Sequence, residues 1–172
     1  MKVSLVLIII FLFPISYPLF PISYPLSPIS AYAVDIGDKA PHFVATSLDG
    51  KKIDYSTFKG KKPLYLIFWA TWCPNCKREI PHVVNLHKKL GDNIEFIGVN
   101  IGINENLEAV TGYIKSYGIN FPIIYDRDGK IIRAFGVMGT PTHIIIDRNG
   151  VVRYRDAEMP EDLDGHLKEL YK

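Results

Sequence analysis

The sequence predicts an α/β protein in which helices flank both faces of a mixed central β-sheet, as a single domain behind an N-terminal signal or anchor segment. From Ile36 onward, apolar runs suited to buried strands alternate with stretches of helical periodicity. The last third carries a hairpin pattern and then a terminal helix. The order βαβα followed by ββα requires parallel and antiparallel strands in one sheet, covered by helices.

Residues 1–33 differ in composition from the rest of the chain. After Lys2 no charged residue occurs until Asp35, and the apolar run behind Lys2 suits the core of a signal peptide. The heptad FPISYPL then occurs twice, and its prolines exclude one regular helix, while AYA at residues 31–33 suits a signal peptidase. An uncleaved membrane anchor is the alternative, because the uncharged span exceeds the ~20 residues that cross a bilayer. Either interpretation places residues 36–172 outside the cytoplasm and allows membrane association through residues 1–33.

The overall composition is that of an ordinary globular protein. The chain has 172 residues, of which 48% are hydrophobic and 22% charged, and its formal net charge is +2. This length predicts one domain with an appendage. The small net charge and the lack of a long basic run give no support for nucleic-acid binding.

The first half of the body is predicted to run strand, helix, strand, helix. Continuous apolar runs at residues 63–70 and 94–101 are typical of strands buried on both faces. Each is followed by an amphipathic helix, the first ending at Gly91 and the second at Gly118. The positions at helical spacing are Ile80, Val83, Val84, His87 and Leu90 in the first helix, and Leu107, Val110, Ile114 and Tyr117 in the second.

Two similar sequences, IIYDRDGKI and IIIDRNGVV, mark the last third of the chain. Each places an Asp-Arg-Asx-Gly turn after an apolar run, and we interpret the likeness as shared turn chemistry instead of an internal repeat. The second sequence separates THIII from VVRYR, as a hairpin would. Pro160 predicts the start of a terminal helix that carries Leu163, Leu167 and Leu170 on one side.

The only cysteines of the chain, Cys73 and Cys76, stand in the stretch FWATWCPNCKREIPH. A structural disulfide is disfavoured, because a bridge over so short a loop restrains the unfolded chain least. A zinc site with His82 and His87 is disfavoured because His82 lies on another side of the helix and His87 about 16 Å along its axis. Haem attachment requires C-x-x-C-H, but Lys77 follows Cys76. The sequence therefore predicts no metal site.

A redox dithiol accounts best for this pair of cysteines. A strand followed by a helix that opens with C-x-x-C puts Cys73 at the helix N-terminus, where free N–H groups and the helix dipole stabilise a thiolate. Pro74 suits the first helical turn, where its missing N–H has no cost. We expect Cys73 to be the exposed nucleophile, and Cys76 to be shielded and to resolve the mixed disulfide. The redox-active disulfide Cys73–Cys76 then carries the chemistry with no bound cofactor.

Around these residues the chain resembles the thioredoxin superfamily, specifically its TlpA/ResA/DsbE-type branch of extracytoplasmic thiol-disulfide oxidoreductases. The segments GDKAPHF, FWATWCPNCKREIP and FGVMGTPTHIIIDRNGVV carry the resemblance, which covers almost everything after Ile36. It implies that Thr140 and Pro141 form a cis-proline loop that faces the dithiol and offers its backbone to a substrate. It also implies substrate contacts for Trp72 and Pro74, with core packing as the alternative for Trp72.

The chain departs from its relatives at the group that would take a proton from the inner thiol. Thioredoxins proper carry a buried Asp two residues before the Trp of the active-site strand, where this chain has Ile67. Glu105, in VNIGINEN, is the nearest candidate for proton transfer, and a carboxylate at a helix start is the alternative interpretation. Peroxiredoxins have a similar opening segment, but they need a Thr three residues before their cysteine, where this chain has Ala70. Copper-carrying relatives place three residues between their cysteines.

The resemblance implies a protein-disulfide oxidoreductase in the periplasm or at the outer face of the cytoplasmic membrane. Its partners would be protein thiols and disulfides and a membrane thiol electron donor that resets the dithiol. The branch often reduces the haem-binding cysteines of apocytochrome c during cytochrome c maturation. Two alternatives remain: a disulfide-forming oxidant, since dithiols of this fold span about −270 to −120 mV, and a non-catalytic module that binds extended peptides through the Pro141 loop.

Overall fold

A five-stranded mixed sheet lies at the centre of the part of the chain that the computed structural model describes, residues 33–171. The predicted signal or anchor segment lies outside the described residues except for Ala33, so its prediction stays a prediction. Between residues 33 and 171, no helix combines the length and apolar character needed to span a bilayer.

The helices and strands of the described residues are β1 (Val44–Thr46), β2 (Lys52–Asp54), β3 (Leu64–Trp69), α1 (Pro74–Leu90), β4 (Glu95–Asn100), α2 (Leu107–Tyr117), β5 (Ile123–Tyr125), α3 (Lys130–Ala134), β6 (Thr142–Ile146), β7 (Val152–Asp156) and α4 (Leu163–Tyr171). The central sheet has the strand order β5-β4-β3-β6-β7, with a separate β1–β2 hairpin. Strands β3, β4 and β5 are parallel, whereas β6 runs antiparallel to β3 and β7 antiparallel to β6. The predicted mixed α/β sheet is thereby confirmed.

Strand β3 forms the centre of the core. All six of its residues are buried, as its continuous apolar sequence predicts for a strand covered on both faces. It pairs along its whole length with β4 and along most of it with β6. The inward positions of α1, including Ile80 and Val83, are buried as well. This rigid centre fixes the place where the chain leaves β3 and enters α1.

The two similar sequences of the last third do form the same turn. The N–H of Gly129 donates to the Asp126 carbonyl at 2.9 Å, and the N–H of Gly150 donates to the Asp147 carbonyl at 2.9 Å. The aspartate side chains then differ in their partners. That of Asp126 accepts N–H groups at the start of α3, whereas that of Asp147 accepts from Arg153 at 2.7 Å across the β6–β7 hairpin. The turn chemistry is shared, as predicted, and the following contacts decide between helix and hairpin.

Several short elements were not predicted, and one helix begins later than expected. Strands β1, β2 and β5 have three residues each and α3 has five, too few for a periodic pattern to show. The terminal helix begins at Leu163 instead of directly after Pro160. The reason is a cap at Asp162, whose carboxylate accepts the Gly165 N–H at 2.9 Å and so defines the first turn.

The left-handed backbone conformation of Gly118, at the C-terminus of α2, can be tested by mutation. Gly118 has φ 61° and ψ 36°, and an added Cβ would meet no atom within 4 Å, so only backbone conformation opposes a side chain there. We expect Gly118→Ala to lower the free energy of unfolding by about 1 kcal/mol. Gly112→Ala is the matched control, since an added Cβ also meets no atom within 4 Å, and it should raise that free energy by about 0.5–1 kcal/mol. Urea unfolding measures both; a stabilised Gly118→Ala variant would contradict the expectation.

Candidate active site

Three strand ends meet next to the two cysteines. Strand β3 ends at Trp69, which lies opposite Asn100 at the end of the parallel strand β4. Strand β6 begins at Thr142, which lies opposite Phe68. The loops that leave β3 and β4 and the loop that enters β6 therefore gather at one edge of the sheet, around the start of α1.

Cys73 is the N-cap residue of α1. Its backbone is extended, with φ −79° and ψ 114°, and its Sγ accepts the N–H of Cys76 at 3.1 Å. Pro74 follows at the first helical position, as predicted. A sulfur at the positive end of a helix that also receives an N–H donor is favoured as a thiolate when it is reduced.

Cys73 and Cys76 are joined in a disulfide, with their Cα atoms 5.3 Å apart. Cys76 is fully buried, as expected, but Cys73 is only 2% exposed, so the prediction of an exposed Cys73 is wrong for this oxidised form. The reason is that its Sγ is bonded to the buried sulfur of Cys76 and faces the Cys76 N–H, away from solvent. The neighbouring Pro74 and Asn75 are exposed.

The two tryptophans near the disulfide have different surroundings. Trp69 is fully buried, and its ring packs against Tyr113 at 5.0 Å between centroids, which makes it a core residue. Trp72 is 47% exposed, and its Nε1 donates to the Ile103 carbonyl at 2.9 Å. Nearly half of Trp72 is thus exposed, next in sequence to Cys73, where the family resemblance implies a substrate contact.

The Thr140–Pro141 peptide bond is cis and directly precedes β6. Because β6 starts opposite Phe68, Pro141 lies at the same end of the sheet as the disulfide. The Thr142 hydroxyl donates to the Gly139 carbonyl at 2.8 Å and holds the loop closed. Beside it opens a cleft of about 600 Å³ that includes Thr140, Pro141 and Met138, the last of which is 97% exposed.

The loop between β4 and α2 folds back on the segment that precedes Cys73. The carboxylate of Glu105 accepts both the N–H and the hydroxyl of Thr71, the hydroxyl at 2.9 Å, and also accepts from Asn100 Nδ2 at 3.2 Å. The Tyr125 hydroxyl donates to the Glu105 carbonyl at 3.2 Å. The two residues before Cys73 are therefore both held by this loop: Thr71 by the Glu105 carboxylate and Trp72 by the Ile103 carbonyl.

The contacts of Glu105 differ from those expected for the start of a helix. Asn106 is the N-cap residue of α2, and its side chain accepts the Ala109 N–H at 2.8 Å. The interpretation of Glu105 as a helix-start carboxylate is therefore wrong, because its side chain points to Thr71 on another loop. Its role in proton transfer stays a prediction.

A second set of polar side chains reaches α1 from the sheet and was missing from the sequence prediction. His143 of β6 is fully buried, with Nδ1 2.6 Å from the Tyr65 hydroxyl and Nε2 2.8 Å from Glu79 Oε2. An ionised carboxylate only accepts, so we assign the ring proton to Nε2 and let the Tyr65 hydroxyl donate to Nδ1. Burial, with the nearby charge of Glu79 adding to it, raises the pKa of Tyr65 well above its ordinary value and keeps it a donor.

Glu79 follows Cys76 by three residues on α1, the spacing at which helix side chains are neighbours. The sequence signal for it was the acidic residue one turn after the second cysteine. For Tyr65 and His143 no local signal exists, because they are 78 residues apart and meet only through strand pairing.

The histidines of α1 are placed differently from His143. His82 is exposed, and His87 is half-buried with its ring edge-on to Phe96 and Phe121. Within the described range 33–171, no three or more His, Cys, Asp or Glu side chains are grouped so that they could hold a metal ion.

Comparisons with known proteins agree with this geometry. The model of the AhpC/TSA family matches residues 36–155. The chain is 37% identical over 140 residues to the thiol-disulfide oxidoreductase ResA of Bacillus thuringiensis subsp. konkukian, covering 80% of this chain and 79% of the relative.

Solved structures show the same fold. A thiol:disulfide interchange protein of the thioredoxin family from Chlorobium tepidum superposes with a TM-score of 0.71 at 32% identity, over 81% of this chain and all of its own. A secreted Mycobacterium tuberculosis disulfide oxidoreductase, described as homologous to E. coli DsbE, gives a TM-score of 0.65 at 28% identity, over 74% of this chain and 96% of its own. The chain therefore belongs to the AhpC/TSA family of thioredoxin-fold proteins, and it is a thiol-disulfide oxidoreductase of the ResA type.

Proposed function

We propose that this oxidoreductase reduces disulfides in partner proteins outside the cytoplasm, with the haem-binding cysteines of apocytochrome c as its substrate class. The observation that carries the proposed mechanism is the position of the Cys73 Sγ, which caps α1 and accepts the Cys76 N–H. This position stabilises negative charge on the sulfur, and a thiolate is the form that attacks a disulfide.

The proposed reaction consists of two thiol-disulfide exchanges. The Cys73 thiolate attacks one sulfur of the partner's disulfide, so that a mixed disulfide forms and the other partner sulfur leaves as a thiolate. Cys76 then loses its proton and attacks the Cys73 Sγ, which releases the second partner thiolate and leaves the Cys73–Cys76 disulfide. Two electrons pass from the dithiol to the partner, and a membrane thiol donor restores the dithiol by the reverse exchanges.

The rim of the disulfide supports the proposed substrate contacts. Trp72 and Pro74, which flank Cys73 in sequence, are both exposed, and the Thr140–Pro141 loop lies at the same end of the sheet as the disulfide. We assign the backbone of the Pro141 loop to an extended segment of the partner and the exposed part of Trp72 to its apolar side chains. Met138, which is almost fully exposed, extends the apolar rim on the Pro141 side.

The location is proposed from the N-terminal sequence and from one relative. The apolar run and the AYA of residues 1–33 suit export or anchoring, and one similar solved structure is that of a secreted oxidoreductase. We place the domain in the periplasm or at the outer face of the cytoplasmic membrane, with residues 1–33 as its signal or its anchor.

The direction of electron flow is open to a direct measurement. The same residues could form disulfides, because dithiols of this fold range from about −270 to about −120 mV. For a reductase we expect the Cys73–Cys76 couple to lie nearer the reducing end of that range. Redox titration against glutathione or dithiothreitol buffers measures the midpoint, and a value near the oxidising end would favour the disulfide-forming alternative.

The two cysteines should behave differently when each is replaced. Cys76→Ser should accumulate mixed disulfides between Cys73 and partner proteins, because the resolving sulfur is gone, and these should be visible on non-reducing gels. Cys73→Ser, the matched control, should trap none and should lose turnover. If Cys73→Ser kept full function in cells, the peptide-binding alternative would replace the redox mechanism.

Removing the Glu105 carboxylate should loosen the segment in front of Cys73. We expect Glu105→Ala to lower the free energy of unfolding by about 1–2 kcal/mol and to increase acrylamide quenching of Trp72, since Trp69 is buried and reports little. Glu108→Ala, an exposed acidic residue in the first turn of α2, is the control and should cost at most about 0.5 kcal/mol. Equal effects of the two variants would show that the Thr71 contacts do not hold the loop.

A further inference from the structure

We propose that His143, held by Tyr65, is a positioning residue that keeps the Glu79 carboxylate directed at Cys76 as the acceptor of its proton. The inference deepens the proposed function, because proton removal from Cys76 is a step of the exchange that the function requires. The inference is based on the buried imidazole of His143. Both of its ring nitrogens have hydrogen-bond partners, and neither partner is a cysteine sulfur.

The burial of His143 requires that its hydrogen bonds have a defined direction. The imidazole is 0% exposed, so each ring nitrogen needs a protein partner. Tyr65 supplies a donor at 2.6 Å and Glu79 an acceptor at 2.8 Å. With both partners in place, the Nε2–H points at the carboxylate, which as an acceptor requires a donor there, and the Tyr65 hydroxyl satisfies Nδ1.

The position of Glu79 connects this set of residues to the inner thiol. Cys76 and Ile80 face the sheet and are buried, and Glu79 lies between them in sequence with 19% of its side chain exposed. A carboxylate at the i+3 position has its Cβ about 5–6 Å from that of Cys76. Glu79 thus lies one helical turn from Cys76 with part of its side chain open to solvent, the position required of a group that accepts a proton and passes it on.

Few other ionisable groups lie near the His143 imidazole that could hold the Glu79 side chain in its place. Its cross-strand partner on β3 is the apolar Ile67, and its partner on β7 is Asp156, which is exposed. From β7, Tyr154 also lies on this side, and its ring contacts His166 of α4. Without the Nε2–H of His143, nothing in this arrangement draws the Glu79 side chain inward, and the exposed part of the side chain can turn to water.

In the proposed step, Cys76 loses its proton to Glu79 before the Cys73–Cys76 disulfide forms. With Cys73 in a mixed disulfide, the Cys76 S–H proton moves to the Glu79 carboxylate, and the Cys76 thiolate attacks the Cys73 Sγ. The bond between Cys73 and the partner sulfur breaks, and the partner leaves as a thiolate with the electron pair. Glu79 then gives the proton to water and is ionised again, and Cys76 takes up a proton when the disulfide is next reduced.

The test separates resolution by Cys76 from attack by Cys73 in the full chain. The reduced protein is mixed with glutathione disulfide, and quenched samples analysed by mass spectrometry give the rates at which the Cys73–glutathione adduct forms and resolves. We expect His143→Leu to slow resolution at least about tenfold and to move its pH dependence to higher pH, because a positioned base is lost. Alkylation of reduced Cys73 by iodoacetamide should stay within about twofold of wild type.

Four further variants distinguish positioning from packing. His143→Gln, whose amide N–H can donate to Glu79, should recover most of the resolution rate, and Tyr65→Phe should slow resolution less than His143→Leu does. His87→Leu is the matched control, a half-buried histidine of α1 outside this set, and should leave resolution unchanged. If His143→Leu does not fold, Glu79→Gln and Tyr65→Phe carry the test, and both must slow resolution.

Two results would overturn the assignment of His143 while leaving the exchange mechanism in place. Resolution in His143→Leu within about twofold of wild type, or equal slowing of resolution and of Cys73 alkylation, would show that His143 only packs the core. A wild-type chain that formed no glutathione adduct would instead refute the exchange mechanism itself, and the assignment with it. Unchanged adduct formation together with slowed resolution in His143→Leu supports both the exchange mechanism and the assignment of His143.

Discussion

The hydrogen bond from the Cys76 N–H to the Cys73 Sγ depends on where a fully buried strand ends. Strand β3 ends at Trp69 in register with β4 and β6, so the chain leaves the sheet at a fixed point and enters α1 at Pro74. The first turn of α1 then has free N–H groups, and the sulfur of its N-cap residue receives one of them. The reactivity proposed for Cys73 is in this sense a consequence of the core.

Two sets of polar contacts near the dithiol have different roles. Glu105 fixes Thr71 and thereby the backbone that leads into Cys73. His143 holds Glu79 one turn beyond Cys76. The first set acts on the position of the attacking sulfur, and the second acts on the proton of the resolving sulfur. Because the two sets share no residue, each can be removed by mutation with the other left in place.

The long elements could be predicted because their patterns are long. β3, α1 and β4 carry six, 17 and six residues, and the predicted strands differ from the observed ones by one residue at each end. The three-residue strands carry too few positions for a period to show, and the cap at Asp162 moved the start of α4 because one side-chain contact outweighed the proline signal. Glu105 was identified as a candidate, but its partner Thr71 was not, since they are 34 residues apart.

The sequence by itself determined the α/β class, the spacing of Cys73 and Cys76 at a helix start, and the residues of the Pro141 loop, because these depend on local patterns and on short motifs. The tertiary structure alone decided that the Cys73 sulfur is covered in the disulfide, that Glu105 points to Thr71, and that His143 lies between Tyr65 and Glu79. These contacts join residues on different strands, loops and helices. Strand register and packing bring such residues together, and neither is visible in any local stretch of the chain.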